Sequence, residues 1–418
     1  MIDQLPEHRP LPGDVRMRAR QKLSEGMSPA ARNGRPILIA AGVSMLAAGA
    51  VFASQALLGS SADPAAPPVQ YNGEFVGKDR KVVNHVETGT VAPEALARCA
   101  AAAKVHPPAA EWTPLATSNK NGTVLTAFRV PAGVFFCANT ATTTTISVPN
   151  PAVLEGRRQV EILFTTPSGT MAGLASSDIG FLSLSQIADS GHSNTMPALV
   201  DGLFLAPSGF RKAENGTKAL ANGEEFAVRG VPKPTESVVD RPLPAAARDT
   251  PEAARFGACL KNRAVPDPDQ FVHGLTVKVS ATDTLITGRF GDLLLYCRDS
   301  NNDPTPGVVM DLDDLGEFRG TTIAGMKAFY DFKPYKVNEQ GEYYDGGSSD
   351  SAAVGLVLDP RVASVTYTSP GAADVPATIG DGTFVLAAKL LDRHPEARVV
   401  VRDAAGNVLE TITPQNPS

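Results

Sequence analysis

Apolar residues gather first in one unbroken run. Residues 37–58, ILIAAGVSMLAAGAVFASQALL, carry no charged side chain over 22 positions, enough for a helix to cross the ~30 Å hydrocarbon core of a bilayer. Upstream lie Arg9, Arg16, Arg18, Arg20, Lys22, Arg32 and Arg35 against four acids. The positive-inside bias therefore places residues 1–36 in the cytoplasm and the rest of the chain beyond the membrane. A cleaved secretory signal has a shorter basic start and an apolar core of roughly 7–15 residues, so the pattern predicts an uncleaved anchor. Gly42 and Gly49 are seven apart and form no GxxxG pair, and the first cysteine, Cys99, comes too late for a lipoprotein.

After a Pro/Ala/Ser spacer the pattern becomes short apolar runs closed by turn residues, and it occurs twice. Cys99 and Cys137 are 38 residues apart, as are Cys259 and Cys297. A shift of 160 residues superposes these pairs and also Pro108 on Pro268, Leu115 on Leu275, Leu125 on Leu285 and Arg129 on Arg289. Each second cysteine ends an apolar run, Val134-Phe135-Phe136-Cys137 or Leu293-Leu294-Leu295-Tyr296-Cys297. With a shift of 153, Gly202-Leu203-Phe204-Leu205-Ala206-Pro207 faces Gly355-Leu356-Val357-Leu358-Asp359-Pro360. Asn222-Gly223 before Phe226 then matches Asp381-Gly382 before Phe384, both being preferred hairpin-turn pairs because each position takes positive φ.

The expected order in each copy is a short helix, two strands, a less regular middle and further strands. The helices are residues 93–104 and 251–262, each opening on Pro-Glu, where a missing N–H and a negative charge are favourable. The chain ends in a hairpin over residues 397–412. The predicted fold class is α+β, mainly β: one N-terminal transmembrane helix, then two tandem repeated domains of mostly antiparallel strands, each with a short helix and one disulfide. The boundaries are a basic cytoplasmic N-terminus 1–36, a span 37–58, a spacer 59–84, domain 85–231, a proline-punctuated linker 232–249 and domain 250–414.

Composition changes this picture little. Of 418 residues, 43% are hydrophobic and 20% charged, which is ordinary globular material with length for two domains beyond the span. The net charge of −6 supplies no extended basic surface, so nucleic-acid binding drops out. Export favours disulfides, and four cysteines permit three connectivities. The repeat selects Cys99–Cys137 and Cys259–Cys297, which give each copy the same tie from helix to strand. No Cys-x-x-Cys or close Cys/His pair suits a metal.

Chemistry is sparse. HExxH, GxSxG, the P-loop and a complete GxGxxG are all missing, so no catalytic residue, cofactor or metal ligand is assigned. Ser168 and Ser208 sit in Pro-Ser-Gly turns. Asn121-Gly122-Thr123 and Asn215-Gly216-Thr217 fit a glycosylation pattern but read better as turns. Asp299, Asn301 and Asp303, with Asp311, Asp313, Asp314 and Glu317, offer the oxygen ligands calcium takes. Pro304, however, stands where a helix-loop-helix calcium loop needs glycine, and residues 138–154 of the first copy hold no acid. Tyr330, Tyr335, Tyr343 and Tyr344 cluster among charges and glycines, and exposed tyrosine is a rigid amphipathic contact surface. The alternative is a hairpin whose aromatics pack across its two strands.

Residues 355–412, with VASVTY, a DG-x-F turn and a final D-x-x-G-x-V-L hairpin, resemble a module of uncharacterised single-pass membrane proteins of actinobacteria. The N-terminal HRPLPGDVRMRARQKLSEGM is similar to the cytoplasmic ends of that group. Such a resemblance implies topology and bacterial origin and carries over no functional residue. The sequence thus leads to a membrane-anchored extracytoplasmic binding or sensing protein without catalytic activity. The four tyrosines are its surface, and its ligand is a protein or glycan. Two alternatives stand beside it: a structural cell-envelope protein, and a cell-wall enzyme built on acids such as Asp311 and Asp313.

Overall fold

The computed structural model describes Val69–Asn72, Lys81–Asn84 and residues 86–415, apart from 152, 189–190, 209–216, 222–223, 262–263, 281–282, 301–302, 333–335, 338–342, 345–347 and 389–394. In chain order the N-terminal half holds β1 (Val69–Asn72), β2 (Lys81–Asn84), β3 (Val86–Thr88), helix α1 (Pro93–Ala102), β4 (Thr113–Lys120), β5 (Thr123–Val130), β6 (Gly133–Asn139) and β7 (Thr143–Ile146). It continues with β8 (Val160–Thr165), β9 (Met171–Ala175), β10 (Leu182–Ala188), β11 (Gly191–Thr195), β12 (Ala198–Val200), β13 (Leu203–Ala206), β14 (Lys218–Ala221) and β15 (Glu224–Ala227). A two-residue strand β16 (Val238–Val239) leads to helix α2 (Pro251–Leu260), β17 (Val272–Lys278), β18 (Asp283–Phe290), β19 (Leu293–Ser300) and β20 (Asp303–Met310). The remainder is β21 (Ile323–Phe332), β22 (Lys336–Val337), β23 (Tyr343–Tyr344), β24 (Ser348–Val357), β25 (Ser364–Thr368), β26 (Val375–Pro376), β27 (Thr378–Gly380), β28 (Thr383–Ala388), β29 (Arg398–Arg402) and β30 (Val408–Ile412).

Each half is a stack of one helix and three sheets. The first sheet, β16-β7-β6-β5-β4-β3 in one half and β17-β18-β19-β20 in the other, is an antiparallel meander. Its strands read as unbroken apolar runs because both faces are covered. Phe135 and Cys137 point to α1 while Phe136 and Ala138 point to the middle sheet. In the other half, Leu293, Leu295 and Cys297 face α2, and Leu294 and Tyr296 face the middle sheet. The middle sheets are β12-β13-β9-β8 and β21-β24-β28-β27, the outer ones β11-β10-β14-β15 and β26-β25-β29-β30. Further apolar layers separate middle from outer sheets, one around Ile162, Phe204 and Leu184, the other around Phe384, Val399 and Val401.

The 160-residue shift carries through the ladders. Thr126 pairs with Cys137 and Cys137 with Ile146; Ile286 pairs with Cys297 and Cys297 with Pro306. Both helices start on Pro-Glu, and Thr250 caps α2 by accepting the Ala253 N–H at 3.1 Å. Two disulfides, Cys99–Cys137 and Cys259–Cys297, tie helix to meander. Helix and strand also exchange volume between halves. Leu96 packs in the cluster with Phe128, whereas at the positions 160 further on Phe256 lies over Gly288, where a Cβ would come within 2.0 Å of its ring.

Two expectations need correction, and one falls outside the described residues. The α+β class does not hold: the described residues are mostly β-sheet, with only two ten-residue α-helices, each covering one face of one sheet. The transmembrane helix, expected at residues 37–58, lies outside the described residues, and among those described no helix is long and apolar enough to cross a membrane. The 153-residue match does not describe one shared strand. Gly202 closes the Asp201-Gly202 turn that opens β13, while Gly355 lies inside β24. Asp381-Gly382, with φ of 46° and 74°, does form the hairpin turn between β27 and β28.

Removing Cys259–Cys297 as a double serine variant is expected to lower stability by about 3–4 kcal/mol in chemical denaturation, the chain-entropy value for a loop of this length. Gly288→Phe alone overpacks against Phe256 and should lose about 1–3 kcal/mol. Combining it with Phe256→Leu, which recreates the arrangement at Leu96 and Phe128, should restore much of that loss.

Candidate binding surface

The two halves are joined by a segment that packs along its length. Arg229 bridges β8, the Thr235 N–H donates to Thr165 at 2.8 Å, and Val238 and Val239 add a short strand to β7. Asp240 then meets Arg98, whose Nε and Nη2 donate to its two carboxylate oxygens at 2.6 and 2.8 Å. The same guanidinium donates to the Thr140 and Thr143 carbonyls at 2.7 and 2.9 Å. Burial raises the Asp240 carboxyl, but the hydrogen bonds and charge of Arg98 outweigh it and hold the group below the usual carboxylate range. Residues 232–249 are thus a strap rather than a bare linker.

Aspartates of the C-terminal half grip two turns at one end of the first sheet. Asp267 is buried and accepts from the Thr140 hydroxyl at 2.7 Å, the Ala141 N–H at 2.9 Å, the Thr142 N–H at 3.3 Å and the Thr142 hydroxyl. Asp311 accepts from the Asn121 N–H at 3.1 Å and returns its own N–H to the Asn121 side chain at 3.0 Å. Beside it Lys120 pairs with Asp314 at 2.8 Å. Burial opposes the Lys120 charge, but the negative field of Asp314, Asp311 and Asp313 outweighs it and raises the ammonium above its usual pKa.

These contacts account for the acids that the sequence offers as calcium ligands or catalytic groups. Asp311 also accepts from the Asp313 and Asp314 N–H groups, Asp313 pairs with Arg319, and buried Glu317 pairs with buried Lys327 at 3.2 Å. Asp299 is buried against Arg255 of α2. Asn301 and the Asp303 side chain lie outside the described residues. No group of three or more His, Cys, Asp or Glu side chains fit to hold a metal occurs among the described residues. Asn121 is 3% exposed and donates to Ser208, so neither this glycosylation pattern nor this serine faces solvent.

The tyrosine-rich stretch forms a long antiparallel hairpin. β21 and β24 pair from Ile323↔Val357 to Phe332↔Ser348, and β22 and β23 continue the ladder with Lys336↔Tyr344 and Val337↔Tyr343. Among the described residues β28 accompanies β24 from Leu356 to Ser351. Tyr330 sits opposite Ser351, at the last of these positions, and Tyr343 and Tyr344, as successive residues of one strand, occupy alternate positions of the β22–β23 pair. The backbone of these three is placed; their side chains and the whole of Tyr335 lie outside the described residues.

No family model, curated protein or solved structure matches the chain. Sequence reasoning missed Asp240, Asp267 and Arg98, the residues that fix the halves. Their only signal is a charge in an otherwise apolar or proline-rich setting.

Asp267→Ala leaves two backbone N–H groups without their acceptor and should cost about 1–3 kcal/mol in denaturant titration. The Asp240 carboxyl, depressed when folded, contributes stability that is fully present above its unfolded pKa of about 3.9 and is lost as pH falls through the lower folded value. The melting temperature should therefore fall less steeply below about pH 4 in Asp240→Asn than in the wild type.

Proposed function

We propose that the chain is an extracytoplasmic binding or sensing protein without catalytic activity, and that the 323–357 hairpin is its contact surface for a protein or glycan. The observation that carries this reading is the paired hairpin, β21 with β24 and β22 with β23, which places Tyr330, Tyr343 and Tyr344 on its strands, the last two outside the described pairing with β28. Placement outside the cytoplasm is supported by the two disulfides and by the lack of any unpaired cysteine. The acids that an enzyme reading requires are engaged by Asn121, Lys120 and Arg319.

A second reading, a structural envelope protein, draws support from the clamp of Asp267 and Asp311 on the N-terminal turns. Such a clamp favours a fixed spacing of the two halves. The two readings diverge in a photo-crosslinking experiment on the full chain in cells, with the crosslinker placed at position 343. A single partner captured there, with binding weakened about tenfold or more in Tyr343→Ala/Tyr344→Ala, is the expected outcome for a tyrosine hot spot. Unchanged affinity in that variant would sink the hairpin reading. A neighbour captured equally from positions 105 and 408, on exposed valines elsewhere, would favour the structural one.

A further inference from the structure

Arg129 and Arg289 occupy the same ladder position in the two first sheets, Arg129 opposite Val134 and Arg289 opposite Leu294. Their surroundings differ. The Arg289 guanidinium donates to the carbonyls of Gly291 at 2.7 Å, Val357 at 2.8 Å and Gly382 at 3.3 Å. Two of these acceptors come from the end of β24 and from the β27–β28 turn that packs beside it. In the N-terminal half the place of β28 next to the central strand is taken by β12, three residues long, and the β14–β15 hairpin joins the outer sheet instead. Arg129 is exposed, and its side chain makes no hydrogen bond or ion pair among the described residues.

What lies beside Arg129 is a cavity of about 410 Å³, within the range of small-molecule sites. Its lining mixes apolar and polar groups, Leu154, Leu174 and Leu203 beside Asn150, Ser177 and Asp201. One wall is fixed closely, since Val134 and Asn150 exchange backbone hydrogen bonds at 2.9 and 2.8 Å and a Cβ on Gly133 would lie 2.0 Å from the Asn150 oxygen.

We propose that this cavity binds a small ligand bearing one carboxylate, held by Arg129. In the C-terminal half the chain's own carbonyl oxygens engage the equivalent guanidinium, so the Arg129 side chain is open to acceptor oxygens from another molecule. A carboxylate is the acceptor that matches the planar fork of arginine best. Asp201 on the same rim disfavours a second negative charge and accepts from hydroxyl or N–H groups of the ligand. The carboxylate belongs either to a uronic acid or to a peptide C-terminus. None of the hairpin residues takes part, so this site and the hairpin surface fail independently.

The test titrates the purified full chain with D-glucuronate and with N-acetylglycylalanine, each against its neutral amide, by saturation-transfer NMR and calorimetry. One acid should saturate with a dissociation constant of about 1 mM or below, with its amide and the Arg129→Gln variant each about tenfold weaker and Arg129→Lys in between. Which acid binds identifies the source. Failure of both acids to saturate by about 10 mM overturns the proposal, as does equal binding to Arg129→Gln. Melting supplies the second arm: Arg129→Gln should leave the transition within about 1 °C, while Arg289→Gln lowers it by several degrees. An equal drop in both would mean that Arg129 already has a partner, and would also overturn it.

Discussion

The structure depends on burial of the first-sheet strands from both sides. β5, β6, β18 and β19 alternate residues between a helix face and a sheet face, and both faces are covered over most of their length, with Arg129 and Arg298 the exposed exceptions among the described residues. A meander of this kind has no solvent side on which to place polar residues, which is why Val134–Cys137 and Leu293–Cys297 read as continuous apolar runs. It also needs a cover on each face, and a ten-residue helix is too short to hold itself in place by propensity alone. The disulfide supplies what the helix lacks, fixing Cys99 or Cys259 to the central strand at Cα separations of 6.1 and 6.5 Å.

Once that frame is set, the two halves solve the same packing problem with different residues. Leu96 under Phe128 becomes Phe256 over Gly288. Asn139 donates at 3.4 Å to the Ala95 carbonyl, while at the shifted positions Asp299 pairs with Arg255. In each case one residue lies on the helix and the other on the strand it covers. Such exchanges let each helix cover its strand with a different pair of side chains, one of them large and apolar or one of them able to pair with the other. The halves diverge most where no such constraint applies, in the middle and outer sheets.

What could be read from the sequence follows this division. The helices, the four meander strands and the cysteine pairs are local or nearly so, and Pro-Glu starts, apolar runs and equal spacings mark them plainly. Strand choice in the middle sheet is not local. Nothing in Gly202–Pro207 or Gly355–Pro360 tells that β13 is flanked by β12 while β24 is flanked by β28, because that choice rests on loop lengths and on which hairpin folds back. The contacts of the strap are hidden for a similar reason: its prolines look like a spacer, and its hold comes from Arg98 on a helix 142 residues away in sequence from Asp240. The acids 311–314 look like a solvated loop until Lys120 and Asn121 are brought against them.

Such divergence also locates where a duplicated scaffold acquires function. A position that keeps its residue but loses its partners is under no obligation to the fold at that point. Arg289 is held by three backbone carbonyls and stabilises the approach of β24 and β28 to the first sheet. Arg129 sits in the same register with no such role, at the mouth of a cavity that the equivalent hairpin does not fill. An exposed guanidinium without partners gives the fold nothing, whereas for recognition it offers a charge carried at a set position of a paired strand, its side chain becoming ordered when a ligand arrives. The 323–357 hairpin likewise adds to the scaffold, since β21 and β24 stay paired with each other as far as Phe332↔Ser348. In both places the chain retains scaffold geometry and adds a feature that the scaffold does not use.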